Sequence, residues 1–203
     1  MKLVVATGNA HKLSEIRAVL EAKGITVEGL TAYSGFESPE ETGETFLENA
    51  RIKAEAFHHH LKTHHANEFA NTAVLADDSG LECEDLDGRP GVRSSRFAHD
   101  NATDAENNAH LMQELQKETH LSRAARFVCA MILILPDGSE HQITGTCEGH
   151  IVMTPKGKNG FGYDPHFYLE ELDKTMAELS PEEKNKISHR AKALEGLREV
   201  FCA

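Results

Sequence analysis

Paired thiols are the first thing this sequence lacks. Its four cysteines, Cys83, Cys129, Cys147 and Cys202, are scattered with no CxxC pair, which argues against a zinc site and against a dithiol redox motif. Buried or idle thiols are the expected reading. Long apolar runs are missing too. Nothing approaches the roughly 20 residues of a membrane-spanning helix, and the opening MKLVVATGN has too short an apolar stretch for a signal peptide. A cytoplasmic protein with no membrane partner is expected. Positive charge is also scarce: 21 Lys and Arg stand against 33 Asp and Glu, a net charge of −12. Such a chain repels a DNA or RNA backbone unless its cations are concentrated in one place, so no nucleic acid polymer is expected as partner. A small phosphate ligand stays open, because divalent metal on carboxylates can bring one to an acidic site.

What is present suits a globular protein. The chain has 203 residues, 39% hydrophobic and 27% charged, with no internal repeat and no long linker. That is enough to bury a core without disulfides, as one domain spanning 1–203 or two tightly joined lobes.

Residues 2–6 (KLVVA) read as a buried strand, and Leu13, Ile16 and Leu20 follow at helical spacing until Gly24. A second strand is predicted over Ile25–Leu30, then an acidic loop, Ser34–Glu44. Thr45 and Glu48 form a capping box. It opens a long helix with the stripe Phe46, Ala50, Ala54, Phe57 and Leu61, ending in the His- and Asn-rich stretch after Lys62. The apolar run Ala73–Asp77 is predicted to end as a strand at Asp77-Asp78-Ser79-Gly80, leaving two carboxylates at a strand terminus. Residues 85–103 form an irregular loop long enough to be functional, and Asp104–Glu118 forms a helix with Ala109, Met112 and Leu115 inward. Ala125–Leu135 and Glu140–Thr146 flank a Pro136-to-Ser139 turn as an antiparallel hairpin, so the sheet is mixed. Gly157–Pro165 is a glycine-rich loop where backbone approaches a ligand or another chain. Ser180, Pro181 and Glu183 supply N-cap, first-turn proline and capping-box carboxylate for one continuous helix to about Phe201.

Several clusters can carry chemistry. Thr7, Gly8, Asn9, Ala10, His11 and Lys12 lie between the first strand and helix, where free amides and the positive helix end attract an anion. The same residues also read as an ordinary turn capped by Asn9, and GxxxxGK[ST] is absent. Asp77 and Asp78, with Glu40, Glu41 and Glu44 in the acidic loop, can hold a hard divalent cation such as magnesium, or can be turn residues. Strand alternation sends Asp77 and Asp78 to opposite faces, so only one is chief ligand or base. Lys53 reads as a surface lysine packing its stem on the core.

Lys184, Lys186, His189 and Arg190 make the last helix basic near its start, against the macrodipole. At 100° per residue Lys186, His189 and Arg190 share a side and Lys184 does not, so all four meet one ligand only if the first turn is distorted. A solvated face balanced by Glu182 and Glu183 is the other reading. The histidines at 58, 59, 60, 64 and 65 include a pair one turn apart, His60 and His64, but no further ligand lies nearby.

Taken in order, ATGNxxK, EETGxTFxENAxxKA, ADDSGL, GxPG, GFGYDP and EEKxxISHR resemble the inosine triphosphate pyrophosphatase family of non-canonical purine nucleotide hydrolases. The likeness runs from about residue 4 to residue 198, and six motifs in one order are far more specific than any alone. The resemblance implies an α/β fold with a long mixed central sheet flanked by helices, two lobes around an active-site cleft, a homodimer and dependence on Mg2+. It implies hydrolysis of dITP, ITP and XTP to the monophosphate and pyrophosphate.

By position, the resemblance makes Thr7 to Lys12 the triphosphate seat, Asp78 the general base and a metal ligand, and Glu41 a further metal contact. Ser79 would touch substrate and Lys53 would face the phosphates. Phe161, Gly162, Tyr163 and Asp164 would line the nucleotide pocket, Lys184 would contact substrate, and His189 with Arg190 would read the base. The His-rich segment Phe57–Asn71 looks longer than usual for the family and lies between motifs. Two rivals are a nucleotide-binding sensor that does not hydrolyse and a pyrimidine-directed nucleotide pyrophosphatase. The carboxylates Asp78 and Glu41 argue against the first, and GFGYDP and SHR against the second.

Overall fold

A computed structural model describes residues 2–117 and 122–201; Glu118 and Cys202, both mentioned above, lie outside the described residues. Its strands are β1 (Lys2–Val5), β2 (Val27–Gly29), β3 (Thr72–Cys83), β4 (Ala124–Ile134), β5 (Glu140–Ile151), β6 (Phe167–Leu169) and β7 (Lys174–Thr175). They form one sheet in the order β2-β1-β3-β4-β5-β6-β7. β1 runs parallel to both β2 and β3, whereas β6 is antiparallel to β5 and β7, so the sheet is mixed as expected. The helices are α1 (Ala10–Glu21), α2 (Phe46–His64), α3 (Ala66–Phe69), α4 (Asp104–Lys117), α5 (Pro181–Ile187) and α6 (His189–Phe201). No described helix is long and apolar enough to cross a membrane.

The chain forms two compact units. One comprises Met1–Asp78, Cys129–Gly145 and Arg190–Ala203, and the other Ser79–Val128 and Thr146–His189. In the first unit, strand alternation sorts the core into two faces. Leu3, Val5, Ala73, Leu75, Met131 and Leu133 pack with Ile16 and Leu20 of α1 and Ala193, Leu194 and Leu197 of α6. Val4, Ala6, Val74, Ala76 and Ile132 pack with Ala50, Ala54, Phe57 and Leu61 of α2. The helices begin where their caps dictate: Asn9 Oδ1 accepts from the amides of His11 and Lys12 at 2.9 and 3.1 Å. Thr45 and Glu48 close the capping box of α2 at 3.2 and 3.1 Å. At the end of α2 the histidines pack as aromatics, His60 stacked on His64 at 4.5 Å and edge-on to Phe36 at 5.3 Å.

The second unit is built on Leu81, Leu111, Leu115, Phe127, Phe167 and Met176. Here α4 departs from expectation. Its buried positions are Asn107, Leu111 and Leu115, while Ala109 is exposed. Asn107 can be buried because its oxygen accepts from the Ala98 amide at 2.9 Å and its nitrogen donates to the Ser95 carbonyl at 3.1 Å.

Two further expectations are corrected. β3 does not end at Asp77 but continues through Asp78, Ser79 and Gly80 to Cys83. β1 pairs with it only as far as Leu75 and β4 is its neighbour on the other side, and sheet membership outweighs the local turn preference of Asp-Asp-Ser-Gly. The last helix is broken: Ser188, with φ −65 and ψ 158, separates α5 from α6. Ser188 caps the C-terminus of α5, its amide donating to the Lys184 carbonyl, and α6 begins at the next residue.

Candidate active site

In the first unit the alternation that sorts the core also separates Asp77 from Asp78. Asp77 continues the face of Ala73 and Leu75 and meets α1 and α6. Its Oδ2 accepts from Lys12 Nζ at 3.1 Å and from Arg190 Nη2 at 3.2 Å, with the side chains of Asp77 and Arg190 0% and 1% exposed. Arg190 Nη1 also bonds Glu15, one turn along α1 from Lys12. Burial by itself pushes the Asp77 carboxyl up, but the charges of Lys12 and Arg190 outweigh it and hold Asp77 well below the usual carboxylate range.

Asp78 continues the other face and meets α2. Lys53 Nζ lies between Asp78 Oδ1, at 3.2 Å, and Glu41 Oε1, at 3.3 Å, and only 12% of the Lys53 side chain is exposed. Lys53 is thus not the surface lysine that its place beside the apolar stripe suggested. Asn49, one turn earlier on α2, donates from Nδ2 to Asp78 Oδ2 at 3.3 Å. Burial pushes the Asp78 carboxyl up, and its neighbours Lys53 and Lys12 only partly oppose this because Glu41 and Asp77 reinforce it. The Lys53 ammonium, which burial would weaken, is held above its ordinary value by Asp78, Asp77 and Glu41 together.

Among the described residues no group of three or more His, Cys, Asp or Glu is gathered as a metal-ligand set. The donor set nevertheless suits a hard cation. Asp78 and Glu41 both direct a carboxylate oxygen at one cationic point, which the Lys53 ammonium fills here. Glu40 and Glu44 are exposed, so Glu41 is the member of the acidic loop that joins Asp78. The turn before α1 combines its two readings. Asn9 caps two amides, and Gly8, Asn9, Ala10 and His11 form an exposed rim with open space beside Gly8. Thr7 is half-buried, and its Oγ1 accepts from the Asn9 amide at 3.2 Å.

In the second unit the loop 157–165 folds around Asp164. This buried carboxylate accepts from the Phe161 amide at 3.0 Å and from Lys184 Nζ at 2.5 Å. Gly160 has φ +75, and a Cβ there would meet Asp164 Oδ2. The Lys184 ammonium lies 4.8 Å from the centroid of the Phe161 ring, a cation–π contact. Gly162 is held by α4 through its backbone: its amide donates to Asp104 Oδ2 at 2.6 Å, and its carbonyl accepts from Asn108 at 2.8 Å. Tyr163 is buried, and its hydroxyl donates to the Ser94 carbonyl at 2.8 Å. His189 stacks on Phe127 at 4.9 Å, and Ser79 is half-buried in β3.

The structure therefore gathers Lys12, Asp77 and Arg190, then Glu41, Lys53 and Asp78, then Phe161, Asp164 and Lys184. Lys186 is exposed. Sequence reasoning passed over Glu15, Asn49, Asp104 and Asn108. Asn49 had a signal, a polar residue beside Ala50 of the buried stripe and four before Lys53. The other three had none that singled them out.

Comparison with known proteins bears on this arrangement. The dITP/XTP pyrophosphatase of Geobacillus kaustophilus (strain HTA426) is 46% identical over 200 residues, covering 98% of this chain and 94% of that protein. The dITP/XTP pyrophosphatase of Halalkalibacterium halodurans is 48% identical over 194 residues, covering 96% and 95%. Among solved structures, a HAM1 protein from Coxiella burnetii matches with a TM-score of 0.85 at 41% identity, covering 100% of this chain and 98% of that one. The Staphylococcus aureus Ham1 protein matches at 0.83 with 39% identity, covering 99% and 98%. A Ham1 family model matches residues 3–200, and the chain belongs to the Ham1 family, as its six motifs led one to expect.

Proposed function

We propose that this protein hydrolyses non-canonical purine nucleoside triphosphates, dITP, ITP and XTP, to the nucleoside monophosphate and pyrophosphate. The observation that carries the reading is Asp78, a buried carboxylate on the face opposite Asp77, held against Lys53 and Asn49. A site built only to retain a polyphosphate has no use for a buried carboxylate beside it. The names of the two relatives support the choice of substrate.

In this reading Asp78 takes a proton from a water molecule, whose oxygen attacks the α-phosphorus. The bond from that phosphorus to the α,β-bridging oxygen breaks, and pyrophosphate leaves opposite the entering oxygen. Lys12 and Lys53 offset charge on the leaving group, and the rim from Thr7 to His11 receives the triphosphate at the N-terminus of α1. Glu41 and Asp78 would hold Mg2+, which supplies charge neutralisation on the phosphate oxygens when bound. Ser79 touches substrate beyond Asp78.

Phe161, Gly162 and Lys184 receive the nucleotide, with Asp164 and Tyr163 anchoring their loop. His189 offers a donor to a 6-oxo purine, whereas the 6-amino group of adenine would set donor against donor. Arg190 supports the site by holding Asp77. The active form is a homodimer in the cytoplasm, with residues 1–203 as one catalytic domain.

The test is a panel of dITP, ITP, XTP, ATP, GTP and dUTP, with and without Mg2+, resolving pyrophosphate from phosphate. Release of pyrophosphate from the first three, in Mg2+ only, is expected. Equal cleavage of ATP and dITP would refute the base reading, and release of single phosphates would refute the bond assigned. Sedimentation velocity checks the homodimer.

A further inference from the structure

Asn49 is 0% exposed, a primary amide near the start of α2 on a buried stripe that is mostly apolar. Burying it is costly unless its donors and acceptor are used. Its Oδ1 accepts from the Gly43 backbone amide at 2.8 Å, and its Nδ2 donates to Asp78 Oδ2 at 3.3 Å. The orientation of this amide does not depend on telling nitrogen from oxygen. A backbone N–H can only donate, so the atom facing Gly43 must be the oxygen, and the nitrogen is left for the carboxylate.

The contact with Gly43 is close. A Cβ at residue 43 would lie 2.8 Å from Asn49 Oδ1 and 3.0 Å from the Asn49 backbone nitrogen. Two residues before Gly43 stands Glu41, and Lys53, the residue that bridges Glu41 and Asp78, is one helical turn after Asn49. One buried amide thus joins the loop bearing Glu41 to the carboxylate Asp78.

We infer that Asn49 is a positioning residue: through its amide it fixes the orientation of Asp78 and ties the Glu41 loop to that same carboxylate. This rests on the role given to Asp78 above. Asn49 acts through Asp78 and has no part in the proton transfer itself. With one oxygen of Asp78 taken by Asn49 and the other by Lys53, the carboxylate has a single orientation, and loss of the first contact lets it rotate away from the water it must deprotonate. The effect belongs in turnover rather than in substrate affinity.

Asn49→Asp is the sharpest perturbation, because it keeps size, shape and the bond from Gly43 and replaces only the donor that faces Asp78 with a second carboxylate oxygen. The expected kinetic result is a fall in kcat for dITP of about 10²-fold with KM within about threefold of wild type. A double-mutant cycle supplies the second readout. In Asn49→Asp/Asp78→Asn the two side chains exchange roles, the amide at 78 donating to the carboxylate at 49, so the loss of melting temperature caused by Asn49→Asp alone should be largely reversed. Activity stays absent in the double variant because the base is gone.

The inference is overturned if Asn49→Asp keeps wild-type kcat, or if it costs the same melting temperature whether residue 78 is Asp or Asn. The thermal cycle needs no turnover. A wild-type protein that cleaves no triphosphate would sink the proposed function while the cycle still reports on the Asn49 link. A wild-type enzyme that cleaves dITP but shows an additive cycle would sink the inference alone.

Discussion

Adjacent carboxylates in one strand should behave as opposites when each is neutralised. Asp77 sits fully buried between Lys12 at 3.1 Å and Arg190 at 3.2 Å. At an effective dielectric of about 20 each such pair attracts by about 5 kcal/mol, set against a desolvation penalty of several kcal/mol per ion. Asp77→Asn keeps the shape but leaves Arg190, 1% exposed, and Lys12 short of a counter-charge. Removing one partner of a buried pair costs about 3–5 kcal/mol, which for a protein of this size is a fall of about 6–20 °C in melting temperature. Asp78→Asn should cost clearly less than Asp77→Asn, because burial disfavours the charged form of Asp78 more than the nearby lysines favour it; the cost that remains comes from an amide accepting from only one of Lys53 and Asn49.

The pH dependence differs in sign as well. The Asp77 carboxyl is depressed in the fold, so its stabilisation is complete above the ordinary value of 3.8 and is lost as pH falls through the folded value. The gap between wild type and Asp77→Asn should therefore be flat above about pH 5 and close below about pH 4. The Asp78 carboxyl is raised, so its contribution is lost as pH rises through its folded value, and Asp78→Asn should gain on wild type from 3.8 upward. Scanning calorimetry in EDTA is the appropriate assay, since the chain has no tryptophan to report by fluorescence. Equal melting losses in the two variants, or an Asp77→Asn protein as stable as wild type, would refute this division of roles.

Four further outcomes are expected. Asp78→Asn should lose about 10²–10⁴ in kcat while retaining nucleotide binding, measured by calorimetric titration beside the pyrophosphate assay; full turnover would remove Asp78 as the base. Lys184→Met leaves the buried Asp164 without its cation and should lower stability by about 3–5 kcal/mol in urea denaturation, with part of the loss recovered by adding Asp164→Asn. Gly80→Ala would press a methyl onto Ser94 Oγ and within 2.8 Å of the Gly91 carbonyl, costing about 1–3 kcal/mol with an unchanged denaturant slope. Burial pushes the thiols of Cys83 and Cys129 up to about 12, so neither should be alkylated in the native protein at pH 8, as peptide mass spectrometry would show; rapid labelling of Cys129 would contradict its burial.

Much of the fold is legible because its signals are local. The stripe Phe46, Ala50, Ala54, Phe57 and Leu61 is buried in full, and the Thr45–Glu48 capping box forms as its residue types require. β4 and β5 flank the turn at 135–139, where the Leu135 amide donates to the Ser139 carbonyl at 2.9 Å. Period-2 alternation by itself also places Asp77 and Asp78 on opposite faces. The motifs identified the family.

What could not be read depended on neighbours distant in the chain. Asp77 to Gly80 has the composition of a turn, and its place within the long strand β3, beside β4, keeps it extended. The break at Ser188 separates Lys184, buried against Asp164, from Arg190, buried against Asp77, and helical periodicity does not contain it. Lys53 carries no sequence mark distinguishing a surface lysine from one bridging Glu41 and Asp78, because the distinction is made by the loop and the strand that pack against it. The sequence by itself determined the elements, the family and the two faces of the Asp pair, since these follow from residue type and spacing. The tertiary structure alone decided which cation each carboxylate meets, because a charge in a protein takes its character from burial and from partners far away in the chain, as Arg190 is over a hundred residues from Asp77.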